Sequence, residues 1–147
     1  MDDQAKGTIL GLSLSTTREE IYQALLEGSS YECMLIVEAL EHARIPVNHL
    51  VVNGGGSKSD PWLSIKADMF GKPVYTVDCQ DTGALGGAII AAVANERFAS
   101  IAEAAQNMVK PGKTIEPNMN NHRIYRERFE RYKNLYAQVK EINHLLH

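Results

Sequence analysis

The sequence predicts an α/β domain, layered in three with a mostly parallel sheet, and too small to be a complete one. Two observations point to the class. Short β-branched apolar runs alternate with longer segments of helical periodicity, and glycine, proline or Ser/Asn turns separate them. A third observation points to incompleteness. Only three runs read as strands, at about 8–14, 49–53 and 73–77, whereas parallel sheets with both faces covered are normally larger.

Taken in order, Thr8-Ile9-Leu10-Gly11-Leu12-Ser13-Leu14 reads as a half-buried strand. Thr16 or Thr17 then caps a helix that carries Glu19 and Glu20 in its first turn, where the helix dipole favours acids. Ile21, Leu25, Cys33, Ile36, Val37 and Leu40 give that helix one apolar face, and Pro46 ends it near Ala43. Gly28-Ser29-Ser30 in its middle is a poor helix former and predicts either close packing or a kink. A buried strand at 49–53 leads through Gly54-Gly55-Gly56 into a helix over 62–70 that Gly71 closes. Pro73 opens the next strand, at a position where proline is tolerated. A turn from Asp78 to Asp81 precedes a helix of very small residues, 82–94, and a short helix follows to Met108 with Ser100 as a cap. Residues 109–117 read as extended and turn-rich. A long helix from about Asn120 repeats Tyr125, Phe129, Tyr132, Tyr136, Val139 and Ile142 at three and four residues, a stripe expected to dock on its own domain rather than form a coiled coil.

At 147 residues the length fits one domain or a piece of a larger one. A net charge of −3 and no basic stripe interleaved with aromatics argue against a nucleic-acid partner. No apolar run approaches the ~20 residues needed to span a membrane, and no apolar leader is visible, so a cytoplasmic protein is expected. Cys33 and Cys79 lie far apart without metal spacing and are expected to be buried, reduced thiols.

The glycine turn is the main candidate for chemistry. Glycine lets the backbone approach a ligand closely and adopt positive φ. The N–H groups at the start of the next helix suit anionic or polar atoms. The stretch Asn53-Gly54-Gly55-Gly56-Ser57-Lys58-Ser59-Asp60 matches neither a Walker loop nor G-x-G-x-x-G, since position 59 is Ser. Both a ligand-binding turn and a plain strand-to-helix turn fit the spacing. Asp78 and Asp81 are expected to cap or solvate the next turn, and Asp68 to sit on the exposed side of its helix.

Three blocks together resemble the carboxyl-terminal part of the FGGY family of carbohydrate kinases. Gly7-Thr8-Ile9-Leu10-Gly11-Leu12 with Glu20-Ile21, Ala24 and Glu27-Gly28 is similar to a family signature. So are the Gly54–Ser59 loop with Trp62, Ala67-Asp68 and Gly71-Lys72-Pro73-Val74, and the helix start Ala84-Leu85-Gly86-Gly87-Ala88, in which Gly87 replaces the usual alanine. The resemblance covers essentially the whole chain, residues 1–147, as the carboxyl-terminal portion of the second, ATP-binding domain. It implies an actin-like ATPase (ribonuclease H-like) fold and an activity that moves the γ-phosphoryl group of ATP, with Mg²⁺, to a sugar or polyol hydroxyl. It implies that Gly54, Gly55, Gly56, Ser57 and Ser59 form the nucleotide-binding stretch, with Gly55, Gly56 and Ser57 at the adenosine and α-phosphate region and Asp60 near the adenine.

The family's catalytic aspartate, its phosphate-binding hairpin and its sugar domain find no match in these residues, and Met1-Asp2-Asp3 aligns with an internal segment of the family. The 147 residues alone are therefore expected to bind ATP or ADP through adenosine, to be inactive, and to self-associate through the 8–14 segment or the aromatic stripe. The alternative is a stand-alone nucleotide-binding or protein-interaction module.

Overall fold

The computed structural model describes residues 2–79 and 81–146. Among the described residues six helices accompany a three-stranded sheet: α1 (Arg18–His42), β1 (Leu50–Val52), a 3₁₀ turn (Gly55–Lys58), α2 (Asp60–Phe70), β2 (Val74–Val77), α3 (Thr82–Ala94), α4 (Ile101–Met108), β3 (Pro111–Ile115), α5 (Met119–Tyr132) and α6 (Leu135–Leu145). The α/β class holds, but the sheet differs from expectation in two ways. Its order is β1-β2-β3, with β1 parallel and β3 antiparallel to β2, so it is mixed rather than mostly parallel. Its third strand is 111–115, not 8–14.

The 8–14 segment forms no strand. Gly11 sits at φ 79°, which interrupts an extended run. Ser13 then turns back on Thr16, whose Oγ1 accepts the Ser13 N–H at 2.9 Å. Leu10, Leu12 and Leu14 stay exposed. A tie to the far end of the chain holds this region: Thr8 Oγ1 donates to Asn143 Oδ1 at 3.1 Å. Conversely, Pro111-Gly112 reads as a turn but begins an edge strand, where proline's missing N–H does no harm. A Cβ at Gly112 would collide with Thr76 Oγ1, and that hydroxyl accepts the Lys113 N–H at 2.7 Å.

α2 covers one sheet face. Leu63 and Ala67 pack on Val74, with Leu50, Val52 and Ile115 around them. The alternate residues Val51 and Tyr75 face the other side, where α4 borders an open apolar cavity of about 470 Å³. A second core joins α1, α2 and α5 through Tyr31, Met34, Met69, Phe70, Tyr125 and Phe129. Tyr31 stacks on Tyr132 with ring centroids 4.9 Å apart and meets Tyr125 edge-on at 6.5 Å. The aromatic stripe thus docks in cis over its first half. Its helix breaks at Lys133-Asn134 into α5 and α6, and Ile142 is left exposed.

Helix ends follow the sequence closely. Thr17 caps α1 with a complete capping box to Glu20. Gly71 ends α2 in the left-handed region at φ 62°. Gly28-Ser29-Ser30 does not break α1; Ser30 is fully buried, whereas Ser29 is exposed and a Cβ at Gly28 would meet nothing within 4 Å. Two expectations are corrected. Cys33 is exposed, not buried, because it lies off the face of α1 that meets α2 and α5. Asp68 is buried at 9 % exposure rather than exposed, because α5 docks on it: Oδ1 accepts the Asn118 N–H at 2.7 Å and Oδ2 accepts from Asn121 Nδ2 at 2.8 Å. Among the described residues no helix is long and apolar enough to cross a membrane.

Candidate functional site

The glycine turn lies at the carboxyl end of β1, directly before α2. Gly54 has φ 71° and ψ −154°, a conformation open essentially to glycine alone. Its carbonyl oxygen accepts two bonds from Ser57, one from N–H at 3.2 Å and one from Oγ–H at 2.7 Å. These close the 3₁₀ turn. Gly55 is exposed, and a Cβ there would meet nothing within 4 Å. Gly56 lies over the indole of Trp62, where a Cβ would stand 3.0 Å from Cζ3 and 3.3 Å from Cε3. The loop therefore has a bare outer surface at Gly55 and an aromatic floor under Gly56.

The start of α2 is built differently from an anion site. Ser59 is its N-cap, and Ser59 Oγ accepts the Trp62 N–H at 3.4 Å. Pro61 supplies no N–H. Asp60 places a carboxylate at the first helical position, and that carboxylate is ion-paired with Lys113 of β3. A group with one donor removed, one capped and a negative charge in place is poorly suited to phosphate. Of the helix-start N–H groups, that of position 61 is missing and that of Trp62 is already capped.

Of the predicted residues, Gly54, Gly55, Gly56 and Ser57 form one surface. Ser59 turns inward as the cap, and Asp60 turns toward β3. Asp81 caps α3 by accepting the Ala84 N–H at 2.9 Å, as its position before the small-residue helix suggests; Gln80 beside it lies outside the described residues. The small-residue face of α3 is open: a Cβ at Gly86 or Gly87 would meet nothing within 4 Å. Trp62 and Ser30 join the site in the folded chain, although composition and spacing do not mark them as binding residues. Trp62 Nε1–H donates to the buried Ser30 Oγ at 3.2 Å. One turn further along α2, the Lys66 ammonium lies 4.6 Å from the indole centroid, and burial holds its pKa below the ordinary lysine value. The signal for this pair is a lone tryptophan after a glycine turn, with a small-residue run in the preceding helix.

These residues suit the uncharged part of a nucleotide better than its phosphates. Among the described residues no group of three or more His, Cys, Asp or Glu side chains is placed to hold a metal ion.

This sheet, with the glycine turn at the end of β1 and α2 on one face, superposes on solved carbohydrate kinases and is one part of an actin-like ATPase domain. The family model for the FGGY family of carbohydrate kinases, C-terminal domain, matches residues 1–95, and the chain belongs to that family. It is 29% identical over 142 residues to a xylulose kinase of Bacillus subtilis, a match that covers 97% of this chain and 28% of the relative. It is 30% identical over 152 residues to a ribulokinase of Bacillus licheniformis, covering 99% and 28%. The crystal structure of xylulose kinase from Rhodospirillum rubrum superposes with a TM-score of 0.83 at 28% identity, covering 97% of this chain and 29% of that one. The chain thus spans under a third of the length of these relatives.

Proposed function

We propose that these residues form the adenosine-holding part of an ATP-dependent carbohydrate kinase, one that transfers the γ-phosphoryl group of ATP to a sugar or polyol hydroxyl. The observation that carries this reading is the loop itself: a bare glycine surface at Gly54–Gly56, floored by Trp62, beside a helix start already filled by Ser59, Pro61 and Asp60. Such a surface receives a flat, uncharged group and leaves phosphates to other elements. When bound, ATP would supply the transferable phosphoryl group, and Gly55, Gly56 and Ser57 would line its nucleoside.

Phosphoryl transfer also needs an aligned acceptor hydroxyl and a carboxylate to take its proton. The acids near the loop are committed elsewhere. Asp60 pairs with Lys113, Asp68 is held by α5, and Asp81 caps α3. The 147 residues alone are therefore read as binding the nucleoside without turning over. A coupled ADP-release assay with pentuloses, hexonates and polyols tests this. No sugar-dependent turnover is expected, and adenosine is expected to shift the amide resonances of Gly54–Ser57. Sugar-dependent turnover by the purified chain would refute the inactivity, and unshifted loop amides would refute the site.

A further inference from the structure

Trp62 is tied at both ends. Its backbone N–H is held by the Ser59 cap, and its indole N–H donates to Ser30 Oγ at 3.2 Å. Ser30 is fully buried in the middle of α1, 32 residues away in sequence. Its own hydroxyl hydrogen is spent on the Leu26 carbonyl, at 2.8 Å. A hydroxyl has one hydrogen to give, so the oxygen that faces Trp62 can only accept. The indole is thereby fixed in direction as well as in position. On the opposite side of this arrangement, the six-membered edge of the ring supports Gly56, close enough that even a methyl group there would press on it.

We infer that Ser30 is a positioning residue for the nucleoside: through its hydrogen bond to Trp62 it sets the floor on which Gly56 rests. The inference builds on the adenosine reading above. Ser30 touches no ligand in this scheme. It acts by holding a ring that shifts or tilts once its N–H loses its acceptor. A buried donor without a partner is costly, so the indole of a Ser30→Ala chain rotates to find water or another acceptor and no longer supports the loop at one height. The small, buried Ser30 then has a use beyond packing. A larger residue at position 30 would occupy the place of the bond.

The test is a double-mutant cycle in the 147-residue chain, read by two measurements. Ser30→Ala removes the acceptor, and Trp62→Phe removes the donor while keeping a ring under Gly56. Adenosine affinity is measured by titrating the loop amide resonances. Each single variant is expected to weaken binding about three- to tenfold, the range of one net hydrogen bond, and the double variant no further than the worse single. The second measurement needs no ligand: amide hydrogen exchange at Ser57 and Ser59, whose N–H groups donate to the Gly54 and Gly56 carbonyls, is expected to speed up in Ser30→Ala, while exchange in the Tyr31–Phe129 core stays as in the parent. Parent-like exchange at the loop in Ser30→Ala overturns the inference, and so do fully additive losses in the cycle. If the parent chain binds no adenosine, the nucleoside reading falls, and the exchange measurement alone decides whether Ser30 positions the loop.

Discussion

Replacing Asp68 by alanine is the sharpest test of how this chain holds itself together. The carboxylate lies inside α2 at 9 % exposure, accepts the backbone N–H of Asn118 at 2.7 Å, and accepts the Asn121 side chain at 2.8 Å. The reverse tie comes from His122, whose Nδ1 lies 2.9 Å from the Asp68 carbonyl oxygen, so the end of α2 and the start of α5 hold each other. Hydrogen bonds to a charged group contribute about 1.5–3 kcal/mol each. Two bonds that share one carboxylate do not add fully. The expected loss is therefore about 2–4 kcal/mol, a large part of the ~5–15 kcal/mol that folds a typical domain. Asp68→Asn keeps one oxygen acceptor and should lose about half as much. Urea unfolding of the parent and both variants measures this, with amide exchange at residues 118–124 as the local readout. An Asp68→Ala loss under about 0.5 kcal/mol, or a loss equal to that of Asp68→Asn, would refute the reasoning.

Gly56→Val should abolish adenosine binding and cost about 1–3 kcal/mol of stability, because the branched side chain presses on Trp62 and disturbs its bond to Ser30; a loop-amide titration alongside urea unfolding checks both. Lys113→Ala should cost under about 1 kcal/mol, since both members of its ion pair with Asp60 are more than half exposed, and the cost should shrink further in salt. The tyrosines of the second core should ionise late. Burial pushes Tyr31 up to about 12, and burial together with Glu27 raises Tyr125 and together with Glu32 raises Tyr132. A raised folded pKa gives stability that is complete below the ordinary tyrosine value near 10 and is lost as pH climbs through about 12. Ultraviolet titration beside urea unfolding from about pH 9 to about pH 12 should show this decline, and flat stability across the window would contradict it.

Much of the fold was legible because local chemistry dictates it. Thr17 with Glu20, Asp81 and Ser100 all cap the helices they precede, whereas Ser59, expected to bind a ligand, proves to cap α2. Gly71 ends α2 because only a left-handed residue closes that turn cheaply. What sequence pattern missed depends on contacts across the chain. The 8–14 run has strand composition but finds no neighbouring edge, and β propensity is realised only where a partner strand and a packed face exist. Residues 111–115 read as extended and turn-rich rather than as a strand, yet they pair with β2 because Gly112 lets the chains approach over Thr76. Asp68 reads as a surface acid until α5, about fifty residues on, brings two donors to it. The glycine loop was legible as a strand-to-helix turn from its composition. The missing N–H at Pro61 and the carboxylate of Asp60 at the start of α2 are written in the sequence, whereas the ion pair of Asp60 with Lys113 requires the folded chain.

The measurement that bears most directly on the nucleoside reading is a parallel titration of adenosine, ADP and ATP against this chain. An adenosine dissociation constant of about 0.1–1 mM is expected, or roughly −4 to −5.5 kcal/mol. ADP and ATP should bind within tenfold of adenosine, all three shifting the same amides at Gly54–Ser57, because the start of α2 lacks an N–H at Pro61, has that of Trp62 capped by Ser59, and carries the Asp60 carboxylate. ATP binding more than tenfold tighter than adenosine would contradict the account, and so would nucleotide binding that leaves the glycine loop undisturbed.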